Sequence, residues 1–193
     1  MSEVTRQEAL ECVRKLIEYI GDDPEREGLV ETPERVIRSY DEIFRGYRRD
    51  PKEILEKRFT THSEDMVVLS NIELYSTCEH HMLPFLGKCH IAYMPNKNVI
   101  GVSKLVRLMD VFARRLQIQE ELTFQIASSL DKEIDPLGVA VLVEAQHLCM
   151  TSRGVSKQQS VMTTTAMLGA FKSDEKLRNQ FLRMIGKLNK GDS

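Results

Sequence analysis

Two short segments hold the side chains best suited to binding a metal or moving a proton. Cys78, Glu79, His80 and His81 form an unbroken run, and a single leucine separates His147 from Cys149. Thiolate and neutral imidazole are the usual ligands of zinc, so each segment offers both a sulfur and a nitrogen donor. Three of the five histidines and two of the four cysteines fall in these segments. A lone His or Cys in a strand is more often core or surface than ligand. Two such clusters near strand ends, however, can meet at one ion. Spacing does not say which three donors would coordinate. Four protein ligands would make a closed structural site, whereas three and a water would make a catalytic one.

The other cysteines and histidines carry no assigned chemistry. Cys89 lies in KCHIAYM, where a small buried side chain explains it, and Cys12, His62 and His90 match no function. Four cysteines are too thinly spread for the disulfide framework of a small secreted domain.

Elements must bring the two segments together. Thr5 and Glu8 form a capping-box pattern before Leu10, Val13, Leu16, Ile17 and Ile20, which recur at helical spacing until Gly21. Thr32 as N-cap and Pro33 in the first turn open a second helix with Val36, Tyr40, Ile43 and Phe44 on one face. Asp50-Pro51 predicts a short third. Strands are expected over 66–77 and 86–94, with the turn CEHHMLPFLG between them. Ser103 reads as the N-cap of a helix to about Arg115, and another helix runs from Gln119 to Ile134, ended by Asp135-Pro136. GVAVLVEAQHLCM and SVMTTTAML predict two more strands, the first carrying His147 and Cys149 on one face. A C-terminal helix from Ser173 presents Leu177, Phe181, Leu182 and Ile185. The order strand, strand, helix, helix, strand, strand is an α+β pattern with antiparallel pairing in each half. One compact domain is expected, with a helical region over 1–62 and a catalytic region over 63–193.

Composition excludes several function classes. Lys and Arg total 27 against 29 Asp and Glu, a net charge of -2, so neither nucleic acid nor an anionic membrane is an expected partner. No run approaches the roughly 20 apolar residues that cross a bilayer. The start, MSEVTRQEALECVRK, lacks the apolar core of a signal peptide, so a cytoplasmic location is expected.

CEHHMLPFLGK, VIGVSKLVRL, QIQEELTFQIA, VEAQHLCMTSRG and the TTTA strand, in that order, resemble signatures of the GTP cyclohydrolase I family over roughly residues 30 to 185. The resemblance implies the tunnelling fold, in which sheets of several subunits join into a barrel, and a homodecamer of two stacked pentameric rings. It implies zinc held by Cys78, His81 and Cys149 with a water in the fourth position, and His80 and His147 as catalytic histidines. Zinc can lower the pKa of water towards about 7, giving a nucleophile for C8 of the guanine. His147 would protonate N7, and His80 would serve later acid–base steps at the ribose. The implied reaction converts GTP and water to formate and 7,8-dihydroneopterin triphosphate, the first step of folate and pterin synthesis.

The resemblance also assigns substrate contacts. Glu120 matches a guanine-reading carboxylate, with Gln119 contributing through its amide. Ser103, Lys104 and Arg107 match triphosphate ligands at a helix start, and Arg153 matches another. Arg35 and Arg38 match more loosely, and a solvated helix face is their ordinary reading. Glu79 and Glu121 read as surface glutamates. Other tunnelling-fold enzymes acting on pterins or deazapurines lack the paired CEHH and HLC segments. A cytidine-deaminase-like enzyme would need an H-x-E and P-C-x-x-C signature that is absent. The reading from another class is a non-catalytic zinc- and nucleotide-binding protein of the same fold.

Overall fold

Thr5 opens α1 (Arg6–Tyr19) as the sequence predicts: its hydroxyl accepts from Glu8 N–H, and the Glu8 carboxylate accepts from Thr5 N–H. Ile17 is buried on this helix, whereas Leu16 and Ile20 stay exposed. α2 (Thr32–Ile43) begins one residue earlier than expected, with Glu31 at the N-cap and Thr32 already helical. Glu31 makes no cap bond, and its carboxylate pairs with Arg35 instead. The computed structural model describes residues 4–187, so the outermost positions of the expected 1–62 and 63–193 regions lie outside the described residues. Contacts divide the chain into two compact units, 1–45 and 46–193. α1 packs on α2 in the first.

The second unit contains α3 (Pro51–Leu55), β1 (Arg58–Thr60), β2 (Val67–Cys78), β3 (Pro84–Met94), β4 (Asn98–Ile100), α4 (Val102–Ala113), β5 (Leu116–Gln117), α5 (Gln119–Ile134), β6 (Gly138–His147), α6 (Leu148–Thr151), β7 (Met162–Gly169), α7 (Ala170–Ser173) and α8 (Glu175–Met184). The expected antiparallel sheet is present as β2-β3-β6-β7, with α4 and α5 between its second and third strands. The structure adds two-residue β5, which pairs parallel with the end of β2, and a separate β1-β4 ribbon. Residues 46–62, read from sequence as part of the helical region, pack here, with α3 against α4 and α5.

Side chains alternate across the sheet. Val139, Val141 and Val143 of β6 join the core with Leu105, Leu108, Leu122 and Ile126 of α4 and α5. Ala140 and Leu142 point to the other face, where Phe171 and Phe181 cover them. Gly87 of β3 pairs with Ala145 of β6, and a Cβ at Gly87 would stand 1.8 Å from the Glu144 carbonyl oxygen. This close approach aligns the ends of β3 and β6, where Phe85 lies opposite His147.

Three further sequence expectations need correction. Gly101, not Ser103, is the N-cap of α4; Ser103 already lies in the first turn, because Val102 adopts helical backbone. The last helix does not run from Ser173: Asp174 breaks α7 from α8 by accepting from the N–H groups of Lys176 and Leu177. The β6 strand stops at His147 because its partner β3 begins at Pro84, which has no N–H to extend the ladder. Cys149 therefore sits on the helical turn α6, not on one face of a strand with His147.

Candidate metal and proton-transfer site

β2 delivers Cys78 at its last position, 6% exposed. The chain then reverses: Met82 N–H donates to the Cys78 carbonyl at 2.8 Å, and Cys78 N–H donates to the Leu83 carbonyl at 2.9 Å. Met82 takes a left-handed backbone, φ 52°, uncommon for a side chain of its size. Outside the turn, Glu79 N–H donates to the Gln117 carbonyl at 3.0 Å, so β5 holds it against the sheet. The buried Gln117 amide donates in turn to the Phe112 carbonyl and to Gln125. This clamp brings His81 back over the strand end, with its Nδ1 3.9 Å from Cys78 Sγ.

Cys149 completes a cluster. The donor atoms of Cys78, His81 and Cys149 all lie within 4.8 Å of one another, and no other group of three such donors occurs among the described residues. Around a tetrahedral zinc with bonds of about 2.0–2.3 Å, donors stand about 3.3–3.8 Å apart, so little contraction is needed. Two thiols and an imidazole also suit a soft or borderline ion. Burial pushes the Cys149 thiol pKa up, the neighbouring Cys78 adds to this, and Arg153 opposes it. His80 lies outside the cluster, exposed, with its Nε2 3.8 Å from the Glu79 carboxylate.

His147 ends β6 beside this cluster. Its ring stacks on Phe85, centroids 4.6 Å apart and planes within 6°, and its Nε2 lies 2.9 Å from Gln119 Oε1. Burial holds its pKa below the ordinary value, and the charge of Glu120 acts in the opposite direction. Glu120 is exposed at the start of α5, whereas Gln119 turns inward at 1% exposure.

The cations expected to meet phosphate are placed as follows. Ser103, Lys104 and Arg107 lie in the first two turns of α4, whose N-terminus has no side-chain cap. Lys104, Arg107 and Arg153 have no carboxylate partner among the described residues. Arg35 and Arg38 are exposed on α2 in the 1–45 unit, and Arg35 is paired with Glu31. Sequence reasoning missed Phe85, Thr123 and Thr164, which support His147 and Gln119. Only Thr123, four residues after Gln119 on one helix face, left a local signal.

The family model for GTP cyclohydrolase I matches residues 9–186. GTP cyclohydrolase 1 of Wolinella succinogenes is 54% identical, over 91% of this chain and 94% of its own length. That of Rickettsia akari is 50% identical, over 97% of this chain and all of its own. Among solved structures, an archaeosine synthase QueF-Like in the apo form covers 55% of this chain and 96% of its own, at 18% identity and a TM-score of 0.47. The matched span of the family model takes in both segments of the Cys and His cluster, and the chain belongs to the GTP cyclohydrolase I family.

Proposed function

We propose that this protein is a zinc-dependent GTP cyclohydrolase: a hydrolase of the guanine imidazole ring that releases formate and rearranges the remainder to 7,8-dihydroneopterin triphosphate for folate and pterin synthesis. The observation that carries the reading is the convergence of Cys78, His81 and Cys149 beside a partly buried histidine. Zinc held by these three residues would supply Lewis acidity toward the water that adds to the ring. His147 transfers a proton at N7 of the guanine, and His80, exposed on the turn, serves the later steps at the ribose. Glu120 accepts from the guanine N1–H and exocyclic amino group, a pair of donors that adenine lacks. Gln119 is the expected companion of Glu120 in the family pattern.

The triphosphate is held by Ser103, Lys104, Arg107 and Arg153; Arg35 and Arg38, in the 1–45 unit, are carried over from the family pattern as phosphate-binding positions. The uncapped N-terminus of α4 supports this, because free N–H groups and the helix dipole favour phosphate oxygens. The working form is a homo-oligomer, a decamer of two pentameric rings, in the cytoplasm. No helix among the described residues is long and apolar enough to cross a membrane. Formate release from GTP tests the reading against a non-catalytic nucleotide-binding protein. The metal-loaded protein should release formate, and Cys78→Ser should lose metal and turnover together. A verified metal-free Cys78→Ser protein with full turnover would overturn the catalytic metal.

A further inference from the structure

The buried amide of Gln119 has only one possible orientation. Its Nε2 lies 3.1 Å from the Val143 carbonyl, 3.0 Å from the Met162 carbonyl and 3.1 Å from Thr164 Oγ1. Carbonyl oxygens only accept, so turning the amide over would set Oε1 against two acceptors and leave both unsatisfied. The hydroxyls fix the same direction. Thr123 Oγ1 donates to the Gln119 backbone carbonyl at 2.7 Å. The 2.6 Å bond between the two threonines must then be donated by Thr164, whose oxygen is free to accept from the Gln119 amide.

Gln119 Oε1 therefore faces His147 Nε2 at 2.9 Å, and an amide oxygen can only accept. The hydrogen belongs to Nε2. The parallel stack on Phe85, which is fully buried, holds the ring plane in which this bond is made. With Nε2–H fixed, the neutral ring keeps a single lone-pair nitrogen, Nδ1.

We infer that Gln119 is the positioning residue of His147: it sets the Nε2–H tautomer and the ring orientation, so that protons exchanged with substrate are carried at Nδ1. An N–H bond forms at Nδ1 when the ring takes a proton and breaks when the ring gives it to a substrate nitrogen, while Nε2–H stays on Gln119 throughout. This rests on the catalytic role proposed for His147. It places Gln119 one step from the guanine, because two amide protons already face three protein acceptors.

The test uses zinc-loaded protein labelled with ¹⁵N-histidine, in mildly alkaline buffer, with the His147 resonances assigned from His147→Ala. Long-range ¹H–¹⁵N spectra should show a protonated Nε2 and an unprotonated Nδ1. Gln119→Leu should broaden or mix the tautomers and lower kcat at least about tenfold, with zinc content unchanged and KM for GTP moved less than about threefold. A protonated Nδ1 with a bare Nε2 in the unmutated protein would overturn the inference even if the variant fails to fold. A rise in KM at constant kcat in Gln119→Leu would also overturn it and mark a substrate contact. Should Nε2–H be found while His147→Ala retains turnover, the role of His147 fails and the orientation by Gln119 stands.

Discussion

His80 and His81 are chain neighbours with different surroundings. His81 Nδ1 comes within 3.9 Å of Cys78 Sγ, while the His80 ring faces solvent, nearly perpendicular to that of His81. His81→Ala should strip the metal from dialysed protein. His80→Ala should keep the metal and lose formate release by about a hundredfold or more, the range expected for a positioned acid–base group. Metal analysis beside the activity assay checks this, and the reverse pattern would exchange the two roles. The types of these residues and their two-segment layout were legible in the sequence. Which histidine faces the thiols was legible only through family resemblance, since the geometry depends on the left-handed backbone of Met82 and on pairing between Glu79 and Gln117, distant in sequence. The inward turn of Gln119 was hidden similarly: a Gln-Glu pair at a helix start reads as two exposed side chains, and its acceptors come from β6 and β7.

At the scale of elements, β3 and β6 can approach only because residue 87 lacks a Cβ. A methyl group there meets main-chain atoms of Glu144 and Ala145, which cannot rotate away. Gly87→Ala should lower stability by about 1–3 kcal/mol in urea unfolding, and an unchanged midpoint would show that the strands part freely. β2 carries a second irregularity, a register shift between Leu69 and Ile72 with Asn71 at φ 58°. Asn71 N–H donates to Nδ1 of buried His90 at 3.4 Å. His90 Nε2 has no hydrogen-bond partner among the described residues; the Glu144 carboxylate is 3.9 Å away and is held by Lys187. Burial depresses the His90 pKa, Glu144 works against this, and Lys187 and Lys88 add to it. The unfolded chain takes this proton near pH 6.5 and the folded chain only lower, so the contribution is intact above about 6.5 and declines as pH falls from there toward the folded pKa. Urea midpoints should drop more steeply across that window in the parent than in His90→Thr, and parallel curves would remove His90 as the cause. The long periodic helices and four main strands were legible because each satisfies its own pattern. β5, the β1-β4 ribbon and the break after His147 were not, because two- and three-residue strands exist only through their partners.

The whole molecule leaves its sheet unfinished. β5 pairs with only Thr77 and Cys78, so most of β2 lacks a partner on that side among the described residues, and the outer edge of β7 is also open. α7 and α8 cover one end of the second sheet face, while at the other end the cross-strand neighbours Tyr75 and Leu86 remain 51% and 39% exposed. Long open edges beside exposed apolar side chains favour pairing with further copies of the same sheet. A sheet with two open edges and the implied barrel of several subunits lead to one expectation: the active species is a homo-oligomer and isolated chains are inactive. Light scattering should give a mass several times 22.2 kDa. Specific activity should fall on dilution in step with that mass, because sites completed by a neighbouring copy are lost when the copies separate. Activity that survives undiminished in a species of single-chain mass would show that one chain holds every group turnover requires, and the open edges of β2 and β7 would then need another explanation.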